Sequence, residues 1–323
     1  MKETLTVLKL LKLFSAWRIC FFLLSFFKPC YIYNVIMPNC FFVSDLHGHR
    51  SRCEKLFGLI AQEKPRAVFI GGDIMPSALA LNQSVYEAYN DFIDGFLVPQ
   101  FLELKDLLGG EYPEIFLILG NDDGKFVEPN INKWEEQGIW NYIHLKKVPF
   151  GKYNIYGYNY VPPTPFRLKD WEKYDVSRYV DPGCISPEEG KYTVEVEMNK
   201  IKYSTIKKDL ELLTGNDDVS GSIFLFHSPP YKTNLDVAPL AGKEIDNAPL
   251  DVNVGSVAIK QFIEKRQPLV TLHGHIHESS TITGSWKDKI GKTICFSAAY
   301  EGKELALVRF NPEEPEKAER ELV

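Results

Sequence analysis

The chain has 323 residues, of which 45% are hydrophobic and 13% aromatic, and its formal net charge is -6. This composition argues against a disordered protein and allows one large folded domain or two small ones. The acidic balance gives the surface no general attraction for nucleic-acid backbones, although a small local basic patch remains compatible with it.

An apolar segment at residues 5–27 precedes the first predicted strand. Its unbroken apolar part is shorter than the ~20 residues that span a bilayer, and no small-residue cleavage site follows Phe27. Three interpretations stay open for residues 1–36: sequence ahead of a true start at Met37, a membrane or signal-like segment, or an ordered extension. We expect a cytoplasmic protein in which only residues 5–27 offer a membrane contact.

From Asn39 onward, short apolar runs alternate with segments of helical periodicity, a pattern typical of α/β proteins. The predicted elements of the first half are a strand at Cys40–Ser44, a helix at Arg52–Glu63, a strand at Ala67–Ile70, a helix at Val85–Leu108 broken at Pro99, and a strand at Ile115–Leu119.

The second half continues the pattern after an irregular, proline-containing stretch at about 151–221, which we interpret as an insertion over the sheet, with a lid as one option. The predicted elements here are two strands within Tyr142–Val161, a strand at Ile223–Phe226, a helix at Ser256–Arg266, and strands at Leu269–Leu272, Thr293–Phe296 and Leu305–Phe310. From Glu313 a Glu/Lys-rich tail is expected to be solvated.

Polar clusters recur directly after the predicted strands. They are Asp45-Leu46-His47, Gly72-Asp73, Gly120-Asn121-Asp122, His227, and His275-Ile276-His277. Because ligands of open α/β sheets bind beyond the carboxyl ends of the strands, one edge can collect all five clusters. Carboxylate and amide oxygens mixed with imidazole nitrogens suit first-row divalent metals such as manganese, iron and zinc.

The ordered series D-x-H, G-D, G-N, H and G-H-x-H resembles the calcineurin-like metallophosphoesterase family over nearly the whole chain after Met37. The resemblance implies an α/β fold with layered α+β character, in which a double β-sheet sandwich is flanked by helices in a domain at residues 37–323. It also implies two divalent metal ions (manganese, iron, zinc or nickel). One ion would be held by Asp45, His47 and His277, and the other by Asn121, His227 and His275, with Asp73 bridging them.

The reaction that the resemblance implies is hydrolysis of phosphate mono- or diesters, by attack of a hydroxide that bridges the two ions. We expect a small phosphoester substrate rather than nucleic acid. Two alternatives remain: a non-catalytic metal-binding scaffold or protein-interaction module on the same fold, and a nuclease, which would need a basic groove.

The third motif departs from the family pattern, which commonly reads G-N-H-D or G-N-H-E. Here Asp122 occupies the position of the histidine that contacts the phosphate and assists the leaving group. An aspartate of ordinary pKa is ionised at neutral pH and does not donate a proton. We therefore interpret Asp122 as an acceptor that orients His49 or a metal-bound water, and His49 as the candidate replacement at the leaving group.

The remaining polar residues near these motifs have plainer interpretations. His144 fits no motif and is expected to be structural, and His273 is expected to shape the loop before His275. Asp123 is expected to cap a turn. The six cysteines show no metal-site spacing, and we interpret them as reduced thiols.

Overall fold

A computed structural model describes residues 39–77 and 83–323 of the chain. The interpretations of residues 1–36, including Cys20 and Cys30, lie outside the described residues. The other four cysteines are free thiols, as expected. Within the described ranges, no helix is both long and apolar enough to cross a membrane.

Fourteen strands form the sheets of the described chain. In chain order they are β1 (Cys40–Val43), β2 (Ala67–Gly71), β3 (Glu114–Ile118), β4 (Asn141–Tyr142), β5 (Lys147–Phe150), β6 (Tyr153–Tyr158), β7 (Ser222–Phe226), β8 (Glu244–Ile245), β9 (Ala248–Pro249), β10 (Val270–His273), β11 (Lys287–Ile290), β12 (Thr293–Ser297), β13 (Ala306–Phe310) and β14 (Glu319–Leu322).

The helices connect these strands. They are α1 (Arg50–Glu63), α2 (Gln83–Phe92), α3 (Val98–Leu108), α4 (Glu128–Glu136), α5 (Met198–Tyr203), α6 (Ile206–Thr214), α7 (Val257–Arg266) and α8 (Ser279–Thr283), with a π-helical turn at Ile93–Leu97 and short 3-10 turns at Gly109–Glu111, Lys125–Val127 and Pro315–Lys317.

Two six-stranded sheets carry the architecture. Their strand orders are β14-β13-β1-β2-β3-β4 and β11-β12-β10-β7-β6-β5. Strands β1 to β4 are mutually parallel in the first sheet, as are β6, β7, β10 and β12 in the second. The carboxyl ends of these parallel strands therefore lie together at one edge of each sheet.

The side chains of the strands point alternately to the two faces of each sheet, and the buried apolar residues form three layers. Phe42 and Leu225 belong to the layer shared by the two sheets. The neighbouring residue Phe41 faces the helices of the first sheet, and Phe224 those of the second. Successive side chains of a strand point to opposite faces, so fully apolar runs such as Cys40–Val43 are buried on both sides. The predicted double sandwich flanked by helices is confirmed.

Two local predictions need adjustment. The predicted break in the helical segment lies just before Pro99: the regular α-helix ends at Phe92, a π-helical turn follows at Ile93–Leu97, and Pro99 lies in the first turn of α3, where its missing N–H is tolerated. The tail after Glu313 is largely exposed, as expected, but it is ordered: Glu319–Leu322 pairs with β13 as the edge strand β14.

The predicted insertion at 151–221 overlaps regular elements of the second sheet. Tyr153–Tyr158 is a strand paired with β7, and α6 packs Ile206 and Leu210 into the apolar layer beside β7. The irregular part, all of it described, is residues 159–197, which hold only isolated bridges such as Val161 with Glu172.

Candidate metal centre

The loops that follow β1 and β2 are joined by backbone hydrogen bonds. The N–H of Asp45 donates to the carbonyl of Gly72 at 3.0 Å, and the N–H of His47 donates to the carbonyl of Asp73 at 2.8 Å. In the second sheet, the N–H of Gly274 donates to the carbonyl of His227 at 2.9 Å. These bonds bring the polar residues after neighbouring strands into register.

Two clusters of potential ligands form at this edge. The first contains Asp45, His47, Asp73 and His277, and the second contains Asp73, His227 and His275, with the ligand atoms of each cluster within 4.8 Å of one another. Asp73 is common to both clusters. The structure thus brings together six of the seven side chains predicted as metal ligands.

The seventh, Asn121, completes the second cluster. Its Oδ1 lies 3.1 Å from Nε2 of His227, and the same nitrogen lies 3.3 Å from Oδ2 of Asp73. In the first cluster, Nε2 of His277 lies 3.2 Å from both Oδ1 of Asp45 and Nε2 of His47. All seven predicted ligands therefore converge.

Four of these residues have left-handed backbone conformations. The φ angles are 56° at Asp45, 47° at His47, 48° at Asp73 and 77° at His275. A positive φ is costly for a residue with a side chain and persists where the surroundings enforce it, most often at functional sites. The sharp turns place these polar side chains at the edge that the two sheets share.

The partners of His227 indicate the roles of its two ring nitrogens. Nδ1 lies 2.7 Å from the carbonyl oxygen of Gly71, which only accepts, so Nδ1 carries a proton and donates it. Nε2 faces the acceptor oxygens of Asp73 and Asn121, and it becomes a metal ligand when a metal ion takes the place of its proton. A partner that fixes the tautomer in this way is typical of histidines that bind metals.

The charges of the site favour cations. Burial lowers the pKa of His47 and His227, but the nearby carboxylates outweigh it: mainly Asp122 for His47 and Asp73 for His227, raising each pKa to about 9. Burial opposes ionisation of Asp45, yet its hydrogen bond with His277 lowers its pKa to about 2. A bound metal would take the place of the histidine protons, so the donor set fits the divalent ions that the family uses.

Three glycines leave room for the ligands. A Cβ on Gly120 would lie 2.3 Å from Oδ1 of Asp73, and one on Gly72 would lie 2.7 Å from Nδ1 of His227. A Cβ on Gly274 would lie 2.8 Å from Oδ2 of Asp45. A side chain at any of the three positions would therefore displace a proposed ligand.

The two residues predicted to act in catalysis lie in different places. Asp122 belongs to the site: its N–H donates to Oδ1 of Asp73 at 2.8 Å, and its Oδ2 lies 3.4 Å from Nδ1 of His47. His49 is exposed just before α1, and its side chain does not cap that helix.

Neighbouring polar residues support the loops. Asp123 is buried and accepts the N–H groups of Gly120, Ile74 and Met75 at 2.9, 3.2 and 2.8 Å, and burial raises its pKa to about 7. Tyr89, which the sequence did not single out, donates its hydroxyl to the carbonyl of Asp122 at 3.0 Å. Tyr89 lies within a predicted helix, and nothing in that pattern indicates this contact.

The two remaining buried histidines do not join the clusters. Nδ1 of His144 accepts the N–H of Asn159 at 3.0 Å, among aromatic rings that include Trp171. His273 contacts the carbonyl of Ser228 and the hydroxyl of Thr271 at 2.9 and 2.8 Å. Both contacts agree with the structural roles expected for these residues.

The two sheets, and a polar centre at their shared edge with a carboxylate common to two ligand clusters, define a metallophosphoesterase architecture. The calcineurin-like phosphoesterase profile matches residues 39–279. The chain therefore belongs to the calcineurin-like phosphoesterase family, whose members depend on two metal ions. A comparison with curated proteins found no match.

Solved structures share the fold. The protein TT1561 of Thermus thermophilus is 16% identical with a TM-score of 0.51, and the match covers 88% of this chain and 99% of that one. A further crystal structure is 14% identical with a TM-score of 0.54, covering 88% and 98%. A dimetal phosphatase from Danio rerio is 12% identical with a TM-score of 0.45, covering 84% and 92%. The first two similarities show the common fold.

Proposed function

We propose that this protein hydrolyses small phosphate mono- or diesters with two divalent metal ions. The observation that carries the proposal is the sharing of Asp73 by two ligand clusters. Asp45, His47 and His277 would hold one ion, and Asn121, His227 and His275 the other. Two ions bound here would polarise the phosphate oxygens and lower the pKa of an attacking water, which bridges them in the reaction that the family implies.

Asp122 is proposed to position His47. Its Oδ2 lies on the Nδ1 side of the ring, 3.4 Å away, while Nε2 of His47 faces Asp73 and His277. A carboxylate behind a metal-binding histidine fixes the ring and makes the ligand more basic. This geometry supports His47, rather than His49 or a water, as the group that Asp122 orients.

His49 is proposed to contact the phosphate or the leaving group. Partial shielding of this exposed ring from water, followed by the charges of Arg52 and His47, holds its pKa below the usual range. A neutral ring at neutral pH still donates one N–H hydrogen bond, although it is a weak proton donor. The enzyme would then prefer esters with good leaving groups, such as aryl phosphoesters, whose departing oxygen needs little protonation.

The test is a panel of aryl and alkyl mono- and diesters, assayed on metal-stripped protein with manganese, nickel, zinc, iron or magnesium added back. We expect activity that returns with a first-row divalent metal and is highest on aryl esters. Binding of two metal ions without turnover of any ester would instead favour a metal-binding scaffold. Turnover confined to nucleic acid would favour a nuclease.

A further inference from the structure

A second pocket lies outside the metal centre, between residues 176–178 and α5–α6. Its volume is about 440 Å³, and its lining includes Val176, Arg178, Lys202, Tyr203 and Lys207. Small-molecule sites typically enclose roughly 300–1,000 Å³. None of the residues that line it is a proposed metal ligand.

The first turn of α6 fixes the walls of this pocket. The N–H groups of Ile206 and Lys207 donate to the carbonyls of Tyr174 and Asp175 at 2.8 and 3.2 Å. The Thr205 hydroxyl accepts the N–H of Lys208 at 3.2 Å. Because these three N–H groups are already used, they are not available to a ligand.

Asp175 anchors the same wall to α7. Its carboxylate accepts hydrogen bonds from the hydroxyl of Ser256 at 2.6 Å and from the N–H of Val257 at 2.7 Å. The segment that carries Val176 and Arg178 is thus tied to two helices of the second sheet. The pocket is therefore largely formed before any ligand binds.

Helix α6, which contributes to the pocket, is connected to the metal centre through β6. The hydroxyl of Tyr158, at the carboxyl end of β6, donates to Asp209 in the first turn of α6 at 2.7 Å. The carbonyl of Tyr158 accepts the N–H of His227 at 3.3 Å. One residue of β6 therefore connects the helix beneath the pocket with a proposed metal ligand.

The charge of the lining contrasts with the rest of the chain. Four cationic side chains and one carboxylate line the pocket, whereas the whole chain has a formal net charge of -6. Arg178 is paired with Glu188, whose carboxylate also feels the charge of Lys202, but among the described residues neither Lys202 nor Lys207 is itself in an ion pair. Lysine binds phosphate as a compact point charge, so these two amines suit a phosphoryl group.

Apolar surface lies beside the amines. Tyr203 is 63% exposed and Val176 is 38% exposed, and Nζ of Lys202 lies 5.8 Å from the centre of the Tyr203 ring. An exposed tyrosine next to cations provides a face on which a flat ring can stack. The amines together with this apolar surface distinguish the pocket from a site for inorganic phosphate, which would need no apolar wall.

We propose that this pocket binds a small organic phosphate, with its phosphoryl group between Lys202 and Lys207 and its aromatic ring against Tyr203 and Val176. The site is independent of the proposed hydrolysis and would persist in a protein without phosphoesterase activity.

Calorimetric titration of the metal-loaded protein tests the proposal with phenylphosphonate, whose C–P bond resists phosphoesterases, and with methylphosphonate, which lacks the ring. The pocket variant is Lys202→Gln with Lys207→Gln. Its matched control is Lys243→Gln with Lys292→Gln, two exposed lysines outside the pocket. Binding at the metal centre contributes equally to both, because none of the four lysines is a proposed ligand.

We expect the pocket variant to bind phenylphosphonate about tenfold more weakly at this site, or not at all, since each amine contributes a charge-assisted hydrogen bond. The control pair should bind like the wild type. Tyr203→Ser should weaken phenylphosphonate but not methylphosphonate. An unchanged isotherm for the pocket variant, or equal weakening in the control pair, would overturn the proposal. Equal weakening of both ligands by Tyr203→Ser would contradict the proposed contact between Tyr203 and the aromatic ring of the ligand.

Discussion

Oδ2 of Asp122 lies 3.4 Å from Nδ1 of His47, on the side of the ring that faces away from the proposed metal. The backbone N–H of the same residue donates to Oδ1 of Asp73 at 2.8 Å. Asp122 therefore supports two proposed ligands, one through its side chain and one through its main chain. Only the first contact depends on the identity of the residue.

Asp122→Ala should weaken the binding of one metal ion and leave the binding of the other unchanged. The variant loses the carboxylate behind His47 but keeps the N–H bond to Asp73, so the ion held by His227 and His275 should bind as before. Loss of such a supporting partner typically costs about 10–100-fold in metal affinity. Competition against a chromophoric chelator measures both affinities.

Asp122→Asn is the graded variant, because its side-chain oxygen still accepts from Nδ1 of His47 while its negative charge is gone. We expect an affinity between those of the wild type and the alanine variant, with most activity on an aryl ester retained. Equal weakening of both ions by Asp122→Ala would mean that the residue acts only on the fold of the loop.

Gly120→Ala should weaken the binding of both metal ions. The added Cβ would lie 2.3 Å from Oδ1 of Asp73 and 2.6 Å from Cε1 of His227, so the shared carboxylate has to move. Gly58→Ala is the matched control, since a Cβ on this exposed glycine of α1 meets nothing within 4 Å. The control should keep both ions and gain roughly 0.5–1 kcal/mol of stability, because alanine favours a helix. Metal analysis that finds two tightly bound ions in Gly120→Ala would contradict the packing argument.

His49→Ala should reduce turnover of alkyl esters more than turnover of aryl esters. The reason is that an alkoxide leaving group depends on a hydrogen-bond donor or acid far more than a phenoxide does. The measurement is kcat on one ester of each type for the wild type and the variant. Equal losses on both esters, or a collapse of alkyl turnover in Asp122→Asn instead, would show that these roles are wrongly assigned.

The buried ring of His144 should make folding sensitive to acid. Burial and the positive charges of Lys125 and Lys173 hold its pKa well below the usual range, so the folded state keeps the ring neutral. The unfolded chain takes up a proton below about pH 6.5, which costs the folded state up to ~1.4 kcal/mol per pH unit. Stability contributed by the neutral ring is therefore present above that pH and lost below it.

His144→Gln tests this titration. Denaturant unfolding of both proteins at pH 7.5, 6.5 and 5.5 should show a steeper loss for the wild type, although the variant is less stable overall. The comparison isolates His144, because titration of the metal site is common to both proteins. Parallel loss of stability in the two proteins would show that the ring takes up its proton in the folded state.

Much of the fold and of the candidate site was predictable from local pattern. Runs such as Cys40–Val43 and Ser222–Phe226 are apolar almost without interruption, which indicates strands buried on both faces, and the polar clusters follow them directly. The strand Glu319–Leu322 was not predictable, because its charged residues are held by partners distant in sequence. Arg309 pairs with both Glu321 and Glu63.

The contact between Asp122 and His47 was likewise beyond the sequence. The motif shows that a carboxylate replaces a histidine, but the partner of that carboxylate depends on how two loops turn. The positive φ angles at Asp45, His47 and Asp73 set those turns. The residue types in the motifs do not predict these angles. Sequence thus indicated that the seven proposed ligands meet, but not which of them Asp122 supports.

Metal content is the most direct test of the central claim that Asp73 joins two metal sites. After loading with manganese and removal of free metal, the wild type should retain about two ions per chain, as a shared carboxylate between two ligand clusters requires. His277→Ala and His227→Ala should each lose one ion, and Asp73→Asn should disturb both. Asp91→Asn, an exposed carboxylate outside both clusters, is the control and should retain two. A wild type that retains no transition metal, or an Asp73→Asn variant that retains both ions with unchanged affinity, would contradict the account.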